Sequence, residues 1–80
     1  MEPFSIIIEP GEYKHYKGGH YLVIGNARDS ENLGELVVYQ ALYGSNDLWV
    51  RPLALFLEEV VWEGRRQPRF QRVVEGQIKK

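Results

Sequence analysis

The stretch from residue 48 to residue 56 constrains the fold more than any other part of the chain. It opens with Leu48, Trp49 and Val50, side chains that favour a pleated, half-buried strand. Pro52 has no N–H to give to a sheet, and it pushes Arg51 toward extended geometry. We therefore predict that the strand ends at Arg51 and that Pro52 opens a helical turn.

An apolar turn follows the proline. Leu53, Phe56 and Leu57 recur at spacings of three and four residues, which places them on one face of that turn. The pattern predicts a short helix that plugs one end of a small sheet.

Apolar or alternating runs separated by turn residues predict about five short strands. Residues 35–43 are largely apolar on both faces, which favours a central strand, and Gly18-Gly19 predicts a hairpin. Residues 67–74 are expected to form an extended edge or an arm. The expected fold is mainly β, a small, SH3-like, partly open five-stranded barrel with one short helical turn before the last core strand. The predicted strands are 13–16, 21–24 (ended by Gly25-Asn26), 35–43, 48–51 and 59–62.

Eighty residues make a single domain, 1–80. Its core is expected at about 11–70, with 1–9 as an arm or extra strand and 71–80 as a basic tail. The absence of cysteine excludes disulfides and thiolate metal sites and suits a reducing cytoplasm. We find neither a signal-peptide pattern nor an apolar run long enough for a membrane helix, so a cytoplasmic protein without membrane contact is expected.

The net charge of −1 conceals an asymmetry. From residue 65 to the end there are six basic side chains and one acidic side chain, a net +5, and the rest of the chain carries four basic and ten acidic side chains, a net −6. A basic segment beside an acidic body can bind nucleic acid or fold back on that body. We favour the second alternative or a solvated tail.

Four stretches are similar to a known family. They are 13–21, 35–39, 48–56 and 68–70, of which Trp49-Val50-Arg51-Pro52-Leu53 is the most specific. They resemble a family of small bacterial proteins catalogued as domain of unknown function 1653. The resemblance runs from about residue 11 to residue 70, and the family usually has Met near Ala54-Leu55. It implies a compact β-rich fold and brings no established activity.

Catalytic and metal sites have little support. His15 and His20 flank a glycine turn that could bring the two imidazoles together, with Asp29 and Glu31 elsewhere, but zinc requires three or four ligands. Neither a nucleophile elbow nor a carboxylate pair suited to acid–base chemistry is evident. We expect no enzymatic activity, with a hydrolase-like activity as the alternative, and neither a metal nor a cofactor.

A binding surface is the favoured function, because many aromatic rings lie near cations. Core packing remains the alternative for the tyrosines and Trp49, and Arg51 can either grip an anion or pair internally with Glu35 or Glu58. Small open barrels bind single-stranded nucleic acid through such groups. The candidate ligand-binding residues are His15, Lys17, Tyr39, Trp49, Arg51 and Arg69.

We therefore expect a binding module for a macromolecular or anionic ligand, with single-stranded nucleic acid as one candidate. The alternative is a structural or adaptor protein that works through self-association or protein–protein contacts. In that case residues 4–8 would serve as an added strand or swapped arm of a homodimer.

Overall fold

The computed structural model describes residues 3–74. The elements are β1 Gly11–His15, β2 His20–Arg28, β3 Glu35–Ala41, β4 Leu48–Pro52, α1 Leu53–Phe56, β5 Glu59–Trp62, β6 Arg65–Pro68 and β7 Phe70–Arg72. They form a five-stranded antiparallel sheet in the order β4-β3-β2-β1-β7 and a separate two-stranded sheet of β5 and β6. Within the described residues the edge strands β4 and β7 do not pair with each other, so the sheet stays open. The predicted mainly β, partly open architecture with one short helix is confirmed.

The first hairpin forms where the adjacent glycines predict it. The N–H of His15 donates to the carbonyl of Gly19, and Gly18 takes a φ of 112° that other residues rarely adopt. The prediction that the next strand ends at Gly25 is wrong, because β2 continues to Arg28. A register shift between Val23 and Gly25 marks a β-bulge, and glycine supplies the positive φ that the bulge requires.

The β3–β4 hairpin also forms as predicted, and its hydrogen-bond phase explains the proline. The N–H of Ala41 donates to the carbonyl of Asp47, which makes that pair a hydrogen-bonded pair of the antiparallel ladder. Because every second residue of a strand directs its backbone groups to the same side, the N–H and carbonyl groups of Trp49 and Arg51 also point toward β3. The backbone nitrogen of Pro52 therefore lies on the side away from β3, where the sheet needs no N–H from it. For this reason β4 can include Pro52, one residue beyond the predicted end.

Helix α1 closes the core over the inner face of the sheet. Phe56 is 3% exposed and its ring stacks on Phe70 with centroids 4.4 Å apart and an interplanar angle of 6°. Leu57, which the sequence places on the same face, remains exposed because the helix ends at Phe56. The buried core cluster consists of Ile8, Tyr13, Val23, Val37, Tyr39, Leu53, Phe56 and Phe70.

The prediction that residues 59–62 form the last core strand is wrong. This segment is β5, which pairs only with β6 among the described strands, and Val61 is 71% exposed. The edge position beside β1 is taken instead by β7, whose Phe70 enters the core. The chain predicted as a single extended edge or arm, 67–74, is thus divided between β6 and β7.

The segment before β1 packs on its own chain without forming a strand. Asn26 accepts a hydrogen bond from the N–H of Ile8 and donates one to the carbonyl of Ile6, both at 2.9 Å. Ile8 is buried in the core cluster. The homodimer through residues 4–8 stays a prediction.

The basic carboxyl-terminal segment folds back on the acidic body as far as the structure describes it. Residues 71 and 72, assigned to the tail from the sequence, lie in β7, and Lys79 and Lys80 lie outside the described residues. Three ion pairs connect the segment to carboxylates: Arg69–Glu58 at 2.9 Å, Arg72–Glu9 at 3.5 Å and Arg66–Glu59 at 3.7 Å. Among residues 3–74 the structure contains no helix that could span a membrane.

Replacing Phe56 with alanine is expected to destabilise the domain by about 3–5 kcal/mol, because the ring is buried and stacked. Leu55→Ala, in the same helical turn but 44% exposed, is expected to cost less than about 1 kcal/mol. Urea denaturation of both variants measures the difference. Equal costs would contradict the plugging role of α1.

Candidate functional site

The sheet register places the predicted site on the inner face of the sheet. Trp49 lies directly opposite Tyr39, and Arg51 lies opposite Val37. Because opposed residues of an antiparallel pair share a face, Trp49 and Arg51 project on the side of the buried core. His15 reaches the same side from β1, opposite Phe70.

Arg51 is the half-buried cation at the centre of this face. Its Nε donates a hydrogen bond to the hydroxyl of Tyr39 at 3.2 Å, and its guanidinium carbon lies 5.7 Å from the ring centroid of Phe70. Both contacts hold the planar guanidinium in one orientation while its terminal nitrogens keep their donors.

The internal ion pair considered for Arg51 does not form. Glu35 instead accepts hydrogen bonds from the backbone and hydroxyl of Ser5, and Glu58 pairs with Arg69. Among residues 3–74 no carboxylate lies within ion-pair distance of Arg51. The guanidinium is therefore available to an external anion.

The aromatic residues divide between core and surface. Tyr39 is 4% exposed, so its ring belongs to the core and only its hydroxyl serves the site. Trp49 is 52% exposed and Tyr43 is 51% exposed. The core alternative therefore holds for Tyr39, whereas Trp49 offers an open ring face beside Arg51.

Tyr21 connects the core to the exposed rings. Its ring makes edge contacts with Tyr39 and Phe70 at 5.3 and 5.6 Å, and its hydroxyl is hydrogen-bonded to that of Tyr43. Burial, followed by the hydrogen bond with Tyr43, raises the pKa of Tyr21 to about 12. The phenol therefore stays protonated and neutral at physiological pH, so it does not oppose an incoming anion.

His15 lies among the other cations of the predicted site. Its ring contacts Tyr16 and Phe70 at 4.5 and 5.0 Å, and its Nδ1 accepts a hydrogen bond from the backbone N–H of Lys17. Burial lowers the pKa of His15, and the positive charges of Arg69, Arg51 and Lys17 lower it further. The three cations thus act on a single imidazole.

Lys17 and Arg69 lie beside a second aromatic pair. The Nζ of Lys17 is 5.8 Å from the ring of Tyr16 and 5.7 Å from that of Trp62, and the guanidinium of Arg69 is 5.9 Å from Tyr16. Arg69 is already bound to Glu58, so its charge is partly neutralised.

The ligand-binding residues predicted from the sequence do not include Trp62, Tyr21 and Phe70. Alternation within each strand could have found Tyr21, but the contact between β5 and the β1–β2 turn carries no sequence signal.

The hairpin does not bring the two histidines together. His20 lies opposite Lys14 on the outer face, where its Nδ1 is 2.6 Å from the Oε2 of Glu12, whereas His15 lies on the inner face. Residues at odd and even positions of a hairpin point to opposite faces. In the part of the chain that the structure describes, no three His, Asp or Glu side chains cluster as metal ligands.

The chain belongs to the family described as "Protein of unknown function (DUF1653)", whose model matches residues 11–72. The resemblance noted from the sequence is thereby confirmed. A crystal structure of a DUF1653 protein from Bordetella bronchiseptica is similar, with 41% sequence identity and a TM-score of 0.77 over 82% of this chain and 87% of that chain. No curated protein matches the chain.

The pKa of His15 is expected to lie below its ordinary value of 6.5, and Arg69→Gln is expected to raise it. The reason is that a neutral neighbour no longer opposes protonation of the imidazole. Arg66→Gln, which removes an exposed arginine paired with Glu59, is expected to leave it unchanged. Proton NMR titration of the His15 ring measures this pKa in the unsubstituted protein and in both variants. A value above 6.5 in the unsubstituted protein would contradict the cation cluster.

Proposed function

We propose that this domain is a non-enzymatic, cytoplasmic module that binds single-stranded nucleic acid on the inner face of its sheet. Arg51 contacts a phosphate, and Trp49 stacks on a neighbouring base. The observation that carries the proposal is the half-buried guanidinium of Arg51, which is oriented by Tyr39 and Phe70 and has no carboxylate partner among residues 3–74.

A guanidinium held in this way suits a phosphate. Its planar fork can donate two parallel hydrogen bonds to phosphate oxygens, and such charge-assisted bonds are about twice as strong as neutral ones. The hydrogen bond to Tyr39 uses only the Nε–H. Because the side chain is already oriented, less conformational entropy is lost when the anion binds.

The exposed rings supply the second requirement, since bases stack on aromatic faces with little sequence preference. Trp49 is beside Arg51 on the same face, and Tyr43 is exposed near Tyr21. Lys17 beside Trp62 provides a second combination of cation and ring on the same domain. A polymer with alternating phosphates and bases matches surfaces that offer both groups.

The local charge also favours an anion, although the chain as a whole carries −1. The cations that act on His15 come from three different segments, the β1–β2 turn, β4 and the residue before β7. An anion among them would stabilise the protonated imidazole, so we expect affinity to rise as the pH falls through the pKa of His15. The acidic remainder of the body limits unspecific attachment elsewhere.

Fluorescence anisotropy with labelled single-stranded RNA and DNA at low and moderate salt tests the proposal. Arg51→Gln is expected to weaken binding by about tenfold or more, because it removes one charge-assisted phosphate contact. Arg66→Gln is the matched control, since Arg66 is exposed on β6 and bound to Glu59. Negligible binding by the unsubstituted protein, or equal affinity of the Arg51→Gln variant, would contradict the proposal.

Trp49→Ala is expected to weaken binding of the same oligonucleotides by roughly 5- to 150-fold, the loss of one base–aromatic stack. Because the indole is 52% exposed, the free energy of unfolding is expected to fall by only about 1–2 kcal/mol. Urea denaturation beside the binding assay separates the two effects. A loss of about 3–5 kcal/mol would assign Trp49 to the core instead.

A further inference from the structure

We propose that β4 is the interface of a symmetric homodimer in which two copies of the chain pair antiparallel along this strand, with the two-fold axis at Val50. In the part of the chain that the structure describes, β4 has a neighbour on one side only, β3. Leu48, Trp49 and Val50 are 65%, 52% and 59% exposed. An exposed apolar edge strand is a template for pairing with another strand.

The hydrogen-bond phase of β4 identifies which backbone groups face the partner. Because Asp47 bonds to Ala41 of β3, the even-numbered residues Leu48 and Val50 direct their N–H and carbonyl groups outward. The third outward position is Pro52, which has no N–H. The edge therefore offers two donors and three carbonyl groups in a row. The Pro52 carbonyl is also the N-cap carbonyl of α1, so it meets a partner strand with its second lone pair.

A two-fold axis at Val50 satisfies both donors of each chain. Val50 lies opposite Val50 of the partner subunit, and the two exchange both of their hydrogen bonds. The N–H of Leu48 donates to the carbonyl of Pro52 of the partner subunit. Because Pro52 of the partner subunit has no N–H, the Leu48 carbonyl is the one outward group that receives no hydrogen bond from the partner. The paired segment is the whole of β4, whose midpoint is Val50.

The side chains are complementary in the same register. On the outer face Leu48 lies opposite Pro52 of the partner subunit, and the two Val50 side chains meet on the axis. On the inner face Trp49 lies opposite Arg51 of the partner subunit, so an indole meets a guanidinium and the two arginines do not oppose each other. Apolar, aromatic and cationic groups all find suitable partners.

The dimer has a consequence for the anion site, which depends on the proposed function, whereas the pairing itself does not. Trp49 of the partner subunit would lie beside Arg51, so each site would combine the guanidinium of one chain with the indole of the other. A base and its phosphate could then be held across the interface, and the two sites would lie on one continuous sheet.

A cysteine cross-link tests the register directly, because the chain contains no cysteine. Hydrogen-bonded residues of an antiparallel pair have Cα and Cβ atoms about 5.5 Å apart. This exceeds the Cβ separation of roughly 3.5–4.5 Å that a disulfide requires, so a short bifunctional thiol reagent is used in place of oxidation. Val50→Cys is therefore expected to form a covalent dimer with this reagent. Val61→Cys, at a valine 71% exposed on β5, is the matched control and is expected to stay largely monomeric. Cross-linking of the Trp49→Cys variant without cross-linking of the Val50→Cys variant would contradict the placement of the two-fold axis at Val50.

Sedimentation equilibrium without nucleic acid tests the dimer independently of the proposed function. The unsubstituted full chain is expected to have the mass of two chains, Val50→Lys the mass of one chain, and Val61→Lys the mass of two. Lysine on an edge strand opposes strand pairing, and both valines are exposed, so both variants should fold. A single-chain mass for the unsubstituted protein, or a two-chain mass for Val50→Lys, would overturn the proposal.

Discussion

The stack of Phe56 on Phe70 is the interaction on which the rest of the structure depends. It joins the four-residue helix α1 to the last strand of the sheet, β7, across the inner face. In a domain of this size the core is small, and no disulfide supplements it. Two flat rings at 4.4 Å bury a large apolar area with few ordered residues. The helix, the edge strand and the strands between them are thereby held in one arrangement.

The same stack supports the candidate site. Phe70 lies under the guanidinium of Arg51 and contacts the rings of His15, Tyr21 and Tyr39, so the candidate site rests directly on the core. A cation supported in this way is oriented by packing and needs no internal carboxylate. This arrangement explains how a chain with a net charge of −1 can present a local cationic surface.

The sequence predicted the parts of the fold that local rules govern. Pro52 fixed the end of β4 to within one residue, and Gly18-Gly19 predicted the first hairpin. It failed where long-range packing decides. The bulge at Gly25 extends β2 beyond an apparent break, and β7 displaces β5 from the main sheet, although both β5 and β7 contain side chains suited to strands. For the site, the residue types were enough to predict Arg51 and Trp49. Whether Arg51 forms an internal ion pair could not be predicted, because the answer depends on the three-dimensional positions of the carboxylates.

In the proposed function, the Arg51 guanidinium and the Trp49 indole together form the contact surface for an anionic polymer. Two-dimensional ¹H–¹⁵N NMR during titration with a single-stranded oligonucleotide tests it most directly, since the protein has only two indole N–H signals to distinguish. We expect the Nε–H signals of Trp49 and Arg51 to shift together and to reach saturation at the same ligand concentration. If both signals stay in place while resonances elsewhere move, Arg51 and Trp49 do not form the contact surface.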